Sequence, residues 1–297
     1  MRKKVIKNKQ QNKPEISVLM TIYKDKDYLE EAIKSILSQL YKNWEFLIIA
    51  EPETPEESLR LVRSFHDKRI RLIINKKHLG FSDSLNKGIR LARGKYIARM
   101  DADDISLPHR LLFQMLYMEV HREITVSGGN AYYVDKKAEK LYRSSVPLSP
   151  EEIKVALHFS DVIVHPSVIF RKNIFIKKRY YYKNQAAEDY ELWTRVCQKE
   201  KIGNIWLALV KRRVHGDNAV LKYKNDIYAA DLSTQKKLWE SEKIDFLLDK
   251  PWYDVRLLNR KEKQIRKKMI NQLYDATSFF ERKRKIFKKM SQQWADS

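Results

Sequence analysis

The 297-residue chain predicts an α/β fold: a Rossmann-like, mostly parallel sheet with helices on both faces, followed by a C-terminal helical appendage. Three observations predict it. Short apolar runs of strand length alternate with helical repeats three times between Ile16 and Met100. The runs are nearly continuous, as in strands covered on both faces. From about Asn218 the glycines stop and the pattern turns to long, charged helical segments.

The first strand is expected at Ile16–Ile22, ISVLMTI. Asp27 and Glu30 stand at capping-box spacing before a helix with apolar positions Leu29, Ile33, Ile36, Leu37 and Leu40. Trp44–Ala50 reads as the second strand. Thr54-Pro55-Glu56-Glu57 then opens a helix with proline in its first turn. Ile70–Ile74 is strand-like, a helix runs from about Ser82 to Ala92 with Gly94 as its C-cap, and Tyr96–Met100 is a short strand. In such sheets ligands bind beyond the carboxyl ends of the strands. The expected site is therefore lined by the segments after Ile22, Ile49, Ile74 and Met100.

Farther along, a Leu- and Met-rich helix runs from Pro108 to about Val120, and Ile124–Val134 reads as strand and bend around Gly128-Gly129. Ser149-Pro150-Glu151-Glu152 is a further capping box. Val162–Phe170 reads as strand, Glu188 to about Lys199 as helix, and Ile205–Val214 as strand.

Composition narrows the class. Hydrophobic content of 43% and aromatic content of 11% suit a globular chain. One cysteine, Cys197, allows no internal disulfide or Cys-rich metal site and fits a reducing compartment. The basic opening lacks the apolar stretch of a signal peptide, and no run approaches the roughly 20 apolar residues that span a bilayer. A net charge of +22 favours a polyanionic partner, although Lys-rich solvated faces would also produce it. Residues 1–13 hold six Lys/Arg and no acid.

After Met100, at the expected mouth of the sheet, stand Asp101-Ala102-Asp103-Asp104. Three carboxylates so close repel one another unless a cation or hydrogen bonds compensate, and hard oxygen ligands suit Mg²⁺ or Mn²⁺. A turn that caps a helix before Pro108 is the alternative.

The segment GFSDSLNKGIRLARGKYIARMDADD, Gly80 to Asp104, resembles the nucleotide-sugar segment of family 2 glycosyltransferases, which have the GT-A fold. SVLMTIYKDKDYLEEAIKSILSQ resembles that family's first strand and helix, Ala187-Glu188-Asp189-Tyr190 its x-E-D motif, and Val214-His215-Gly216-Asp217-Asn218 its C-terminal histidine. The pieces keep the family's order from Ile16 to Asn218. The resemblance implies an inverting transfer of a sugar from a nucleotide-diphosphate sugar to an acceptor hydroxyl, in surface polysaccharide or glycolipid biosynthesis. It implies a divalent metal, Mn²⁺ or Mg²⁺, at Asp103 with Asp101 and His215. Asp101 also matches the position beside the ribose. Asp189 matches the catalytic base, with Glu188 beside it. Thr21 and Tyr23 match positions that cradle base and ribose, Gly80 lets the chain pass close to the nucleotide, and Ser82 and Asn86 could reach the donor, with capping of the local helix the alternative for Ser82.

His165, in a segment similar to one on the family's acceptor side, is placed against the acceptor or a phosphate, with packing as the alternative. Arg99 and Arg171 are candidates to hold a diphosphate or an anionic acceptor. In one place the chain departs from the family: the Asp-Asp-Gly-Ser after the second strand is Ala50-Glu51-Pro52-Glu53. Glu51 can replace one acid and Ala50 cannot, which leaves the nucleotide open.

The expected division is a basic tail at 1–13, a GT-A catalytic domain at 14–218 and a basic helical region at 219–297. In the last, Ile265, Met269, Leu273, Phe280, Phe287, Met290 and Trp294 form a helical stripe between basic clusters. Such a helix lies on an anionic membrane or packs on protein. The enzyme is expected on the cytoplasmic side, peripheral to the membrane, with a glycan or lipid-linked acceptor and no specific nucleic acid. A sugar-nucleotide nucleotidyltransferase would need a glycine-rich loop after the first strand, and Met20 to Asp25 has no glycine. A non-catalytic nucleic-acid-binding protein would leave the acidic cluster unexplained, because carboxylates repel phosphate.

Overall fold

A computed structural model describes residues 13–24, 27–183, 186–215 and 224–241. The basic segment 1–12, Gly216 to Asn218 of the histidine motif, and the stripe from Ile265 to Trp294 lie outside the described residues.

Nine strands form one sheet in the order β3-β2-β1-β4-β8-β6-β9-β5, with β7 paired to β6. Its first half is the expected parallel unit: β1 (Ile16–Ile22), β2 (Trp44–Ala50), β3 (Ile70–Ile74) and β4 (Tyr96–Met100). Every residue of β2 is buried, because helices cover both of its faces. Val18, Met20, Phe46 and Ile48 point into one core with α1 (Leu29–Leu37), α2 (Glu56–Ser64) and α4 (Arg110–Val120). The alternate residues Leu19, Leu47 and Ile49 meet α3 (Phe81–Leu91), and the same second core extends to α5 (Pro150–Ala156), α6 (Lys172–Lys178) and α7 (Glu188–Cys197). Each such side chain contributes about 1.5–3 kcal/mol on burial.

The second half reverses direction. Strand β8 (Ile169–Arg171) runs antiparallel to both β4 and β6 (Ile124–Val134), whereas β6 and β9 (Lys201–Arg213) are parallel. Short strands β5 (Ile105–Ser106) and β7 (Lys140–Arg143) pair antiparallel with β9 and β6. Helix α8 (Lys224–Ser241) follows. Among the described residues no helix is long and apolar enough to cross a membrane.

The antiparallel turn at β8 positions the site. It delivers the segment that precedes β8 to the same end of the sheet as the carboxyl ends of β4, β6 and β9. There Val162–Phe170 is not the single strand expected: a 3₁₀ turn, His165–Ser167, leads into β8. Ser167 Oγ pins that turn by donating to the Val164 carbonyl at 2.7 Å and accepting from Gly129 N at 3.0 Å.

Several expected caps take other forms. Helix α1 starts at Leu29 behind Tyr28 with no side-chain cap, so Asp27 and Glu30 form no capping box, and Leu40 lies past its end, exposed. Thr54 Oγ1 bonds the Ile22 carbonyl at 3.2 Å while Pro55 occupies the cap of α2. Ser149 and Glu152 do form the reciprocal box. Helix α3 ends with Ala92 at its cap, not Gly94. Gly94 is small for another reason: a Cβ there would lie 2.6 Å from Ser17 N.

Candidate functional site

Strand β4 ends at Met100, and the loop from it to β5 carries Asp101, Asp103 and Asp104. Carboxylate oxygens of all three lie within 4.8 Å of one another. Asp101 and Asp103 keep about a quarter of their side-chain surface open. Asp104 is buried, accepts from Arg213 N at 2.8 Å, and leaves Oδ2 without a partner among the described residues. Burial first, then the neighbouring aspartates, push Asp103 up and Asp104 well above the usual carboxylate range. The end of β9 supplies the remaining members. His215 Nε2 stands 2.9 Å from Asp103 Oδ2, stacked at an angle on Tyr28, while Arg213 ties the Asp103 carbonyl to Glu31. The expected association of Asp101, Asp103 and His215 is thus present.

A second acidic group gathers at the N-terminus of α7. His165, Glu188 and Asp189 also place ligand atoms within 4.8 Å. Ala187, the residue before the helix, is left-handed at φ 51°, a conformation unfavourable for a residue with a Cβ. His165 Nδ1 lies 3.4 Å from Asp189 Oδ2, and its Nε2 lies 2.9 Å from Tyr182 Oη. Burial, with Arg99 and Arg212, lowers the His165 pKa far below its ordinary value, so the ring is neutral. A neutral ring that accepts from Tyr182 donates from Nδ1 toward Asp189. A helix N-terminus favours the carboxylate form, but burial outweighs it: Asp189 is raised, and Glu188 is pushed up to about 8 by burial and by Asp189.

Arg99 joins the two groups. It is buried, pairs with Asp101 at 2.5 Å, and sits 5.3 Å from the Phe81 ring centroid. Burial opposes its charge, but Asp101, Tyr182 and Glu188 hold its pKa above the ordinary value. Its Nε has no partner among the described residues. Arg171 is different: its guanidinium is spent on the carbonyls of Ile124, Met118 and His121 and on Tyr96 Oη, away from the site.

On the donor side, Tyr23 is partly exposed and meets His78 edge-on, beside the end of β1 with Thr21. Glu51 is buried with both oxygens engaged, Oε1 accepting from Ser84 Oγ at 2.6 Å and Oε2 from Leu79 N at 3.0 Å. It braces the loop into α3. Gly80, at φ 78°, starts that helix, so Ser82, buried one residue inside it, is not the cap. Asn86 exchanges both amide bonds with the backbone of Tyr182, at 2.8 and 2.9 Å, and ties α3 to the loop before α7.

Sequence reasoning missed Tyr182, Arg212 and His78. Only Arg212 carried a signal, as the neighbour of the expected C-terminal histidine segment.

Residues 17–188 match the family model described as Glycosyl transferase family 2. The chain is 30% identical to the O-antigen biosynthesis glycosyltransferase WbnJ of Escherichia coli over 67% of its own length and 80% of that protein. Its fold is similar to a TarS fragment of S. aureus in complex with UDP-GlcNAc, with TM-score 0.64 at 15% identity over 88% of this chain and 73% of that one. It also resembles the mannosyltransferase PcManGT of Pyrobaculum calidifontis in complex with GDP-Man and Mn²⁺, with TM-score 0.53 at 13% identity over 80% of this chain and 77% of that one. With a GT-A-type sheet, paired acidic groups at its carboxyl edge and a family match across more than half its length, this chain belongs to glycosyl transferase family 2.

Proposed function

We propose that the protein moves a sugar from a nucleoside-diphosphate sugar to a saccharide hydroxyl by one inverting displacement, with Asp189 as base. The observation that carries this reading is the pairing of two acidic groups through Arg99. Asp101, on the donor side, and Glu188, beside the base, both hold its charge.

The donor set fits a hard divalent cation, Mg²⁺ or Mn²⁺: clustered carboxylate oxygens, a buried Asp104 oxygen with no partner among the described residues, and an imidazole on Asp103. Asp101, Asp103 and His215 would hold it. When bound, the cation would offset the negative charge of the departing diphosphate. The protein's own residues do the rest. Asp189 accepts the proton of the acceptor hydroxyl as its oxygen bonds to the anomeric carbon. The bond from that carbon to the phosphate oxygen breaks, with its electrons, on the opposite face. Neutral His165 orients Asp189, and Tyr182 fixes the tautomer of His165. Attack from the face opposite the leaving group inverts the anomeric centre.

Thr21, Tyr23 and Gly80 frame the nucleotide, and Glu51, Ser82 and Asn86 hold the loop and helix that shape its pocket. Likeness to WbnJ supports an acceptor in a surface glycan, free or lipid-linked. Residues 14–218 form the catalytic unit in this reading. Helix α8 packs on this unit, with Gln235 donating to the Phe159 carbonyl at 2.8 Å, and the basic stripe from Ile265 to Trp294 rests on the cytoplasmic membrane face in this reading. A panel of nucleotide sugars with Mn²⁺ or Mg²⁺, read by thermal shift and donor hydrolysis, tests the proposal. One donor should stabilise the protein and be hydrolysed, and Asp103→Ala should abolish the metal-dependent part. Equal hydrolysis in Asp103→Ala contradicts the metal assignment.

A further inference from the structure

A row of side chains leaves the catalytic cleft and ends in solvent. Tyr133 on β6 stands in register with Tyr142 on β7 and with Arg212 on β9. Cross-strand partners project from the same face of a sheet. The rings of Tyr133 and Tyr142 stack at 4.4 Å with 10° between their planes. Arg212 Nη1 donates to Tyr133 Oη at 3.3 Å, and its guanidinium carbon lies 5.7 Å from that ring's centroid.

The inner end of the row meets the catalytic segment at Val164, the residue before His165. Against the cost of burial, Tyr133, Asp104 and Asp101 hold the charge on Arg212, which in turn acts on Asp189 and His165. At the outer end, Tyr142 is 54% exposed. Ala131, Val164 and Val210 form a small buried cluster with Tyr133 packed on it. The platform is therefore anchored on the segment that leads directly into His165.

A cross-strand aromatic pair by itself does no more than stabilise a hairpin. Two features go beyond that: Tyr133 packs on Val164, the residue before His165, and Tyr142 remains half exposed. The face of a phenol ring is electron-rich, and it suits a pyranose, which presents a face of weakly positive C–H groups. Arg212 adds N–H donors for hydroxyl oxygens. The donor-side residues Tyr23, His78 and Gly80 come from the β1–β3 half of the sheet, while the row lies on β6, β7 and β9.

We propose that Tyr133, Tyr142 and Arg212 form an acceptor subsite, in which a sugar ring of the acceptor glycan stacks on the tyrosine pair and Arg212 hydrogen-bonds its hydroxyls. The proposal rests on the reading of Asp189 as the base. Its test needs no turnover. Saturation-transfer NMR with methyl glycosides of glucose, galactose, mannose and N-acetylglucosamine is recorded on wild type, Tyr142→Phe and Tyr142→Ala. Ring-proton transfer from at least one glycoside should appear in wild type and Tyr142→Phe and weaken about tenfold in Tyr142→Ala. Equal signals in Tyr142→Ala, or none from any glycoside in wild type, overturn the subsite. Donor hydrolysis by the same three proteins should be equal, and a selective loss in Tyr142→Ala would assign the row to the donor instead. Glycoside binding without hydrolysis of any nucleotide sugar would count against the glycosyltransferase reading while supporting the subsite.

Discussion

A carboxylate that serves as a base must be ionised at the working pH, and the groups around Asp189 pull in opposite directions. The start of α7 and the cations Arg99 and Arg212 favour the ion; burial disfavours it more. Glu188 beside it holds a proton up to about 8. Two neighbouring carboxyls of this kind titrate as a pair. Because both are raised, the base is lost to protonation at a higher pH than an ordinary aspartate. Transfer should therefore climb with pH above the range of an ordinary aspartate, up to the Glu188 step at about 8, in proportion to the ionised pair. A kcat profile that stays flat over that span contradicts the pairing. Replacing Arg99 by Met removes the cation that favours ionisation of both carboxyls and should move the midpoint upward; an unmoved midpoint would show that Arg99 acts only in packing.

Among the elements, close approaches are the most sensitive points. Gly94 passes Ser17 with no room for a methyl, and the obstacle is backbone, which cannot swing aside. Gly94→Ala should cost about 1–3 kcal/mol, seen as a fall in Tm of several degrees, with transfer by the folded fraction intact. A Tm equal to wild type would refute the packing account. Repeats of 3.6 and the near-continuous apolar runs made β1–β4 and α1–α4 legible in the sequence, because burial on two faces leaves a pattern. Helix boundaries were less so. Asp27 with Glu30 and Thr54 with Glu57 have box spacing, yet the chain enters each helix one residue later, and spacing alone does not report that angle. The turn at His165 was unreadable as a turn: VIVHPSVIF is as apolar as a strand, and pairing of β8 with β4 and β6 decides its shape. The candidates Asp101, Asp103, His215 and Asp189 came from motifs. Tyr182 and Arg212 did not, because their roles arise from neighbours distant in the chain, such as Asn86 and Tyr133.

At the scale of the molecule, the sheet divides the work. In the proposed function its parallel half ends in the loops that frame the nucleotide, and its mixed half brings His165, Arg212 and α7 to the opposite wall. The net charge of +22 is weighted toward the two ends of the chain, residues 1–13 alone holding six Lys/Arg and no acid. Its basic C-terminal stripe is expected to hold the enzyme against anionic lipid at about 1 kcal/mol for each Lys or Arg near the surface. Removal of residues 255–297 should weaken binding to phosphatidylserine vesicles and flatten its salt dependence; unchanged binding eliminates a membrane role for the stripe. The whole account turns on one division of labour, in which the aspartates after β4 hold the donor and Asp189 acts only on the incoming hydroxyl. The most direct measurement compares wild type and Asp189→Asn for donor affinity and transfer rate in the same metal buffer. Transfer should fall by about 10²–10⁴-fold with donor affinity unchanged, whereas undiminished transfer would contradict the account.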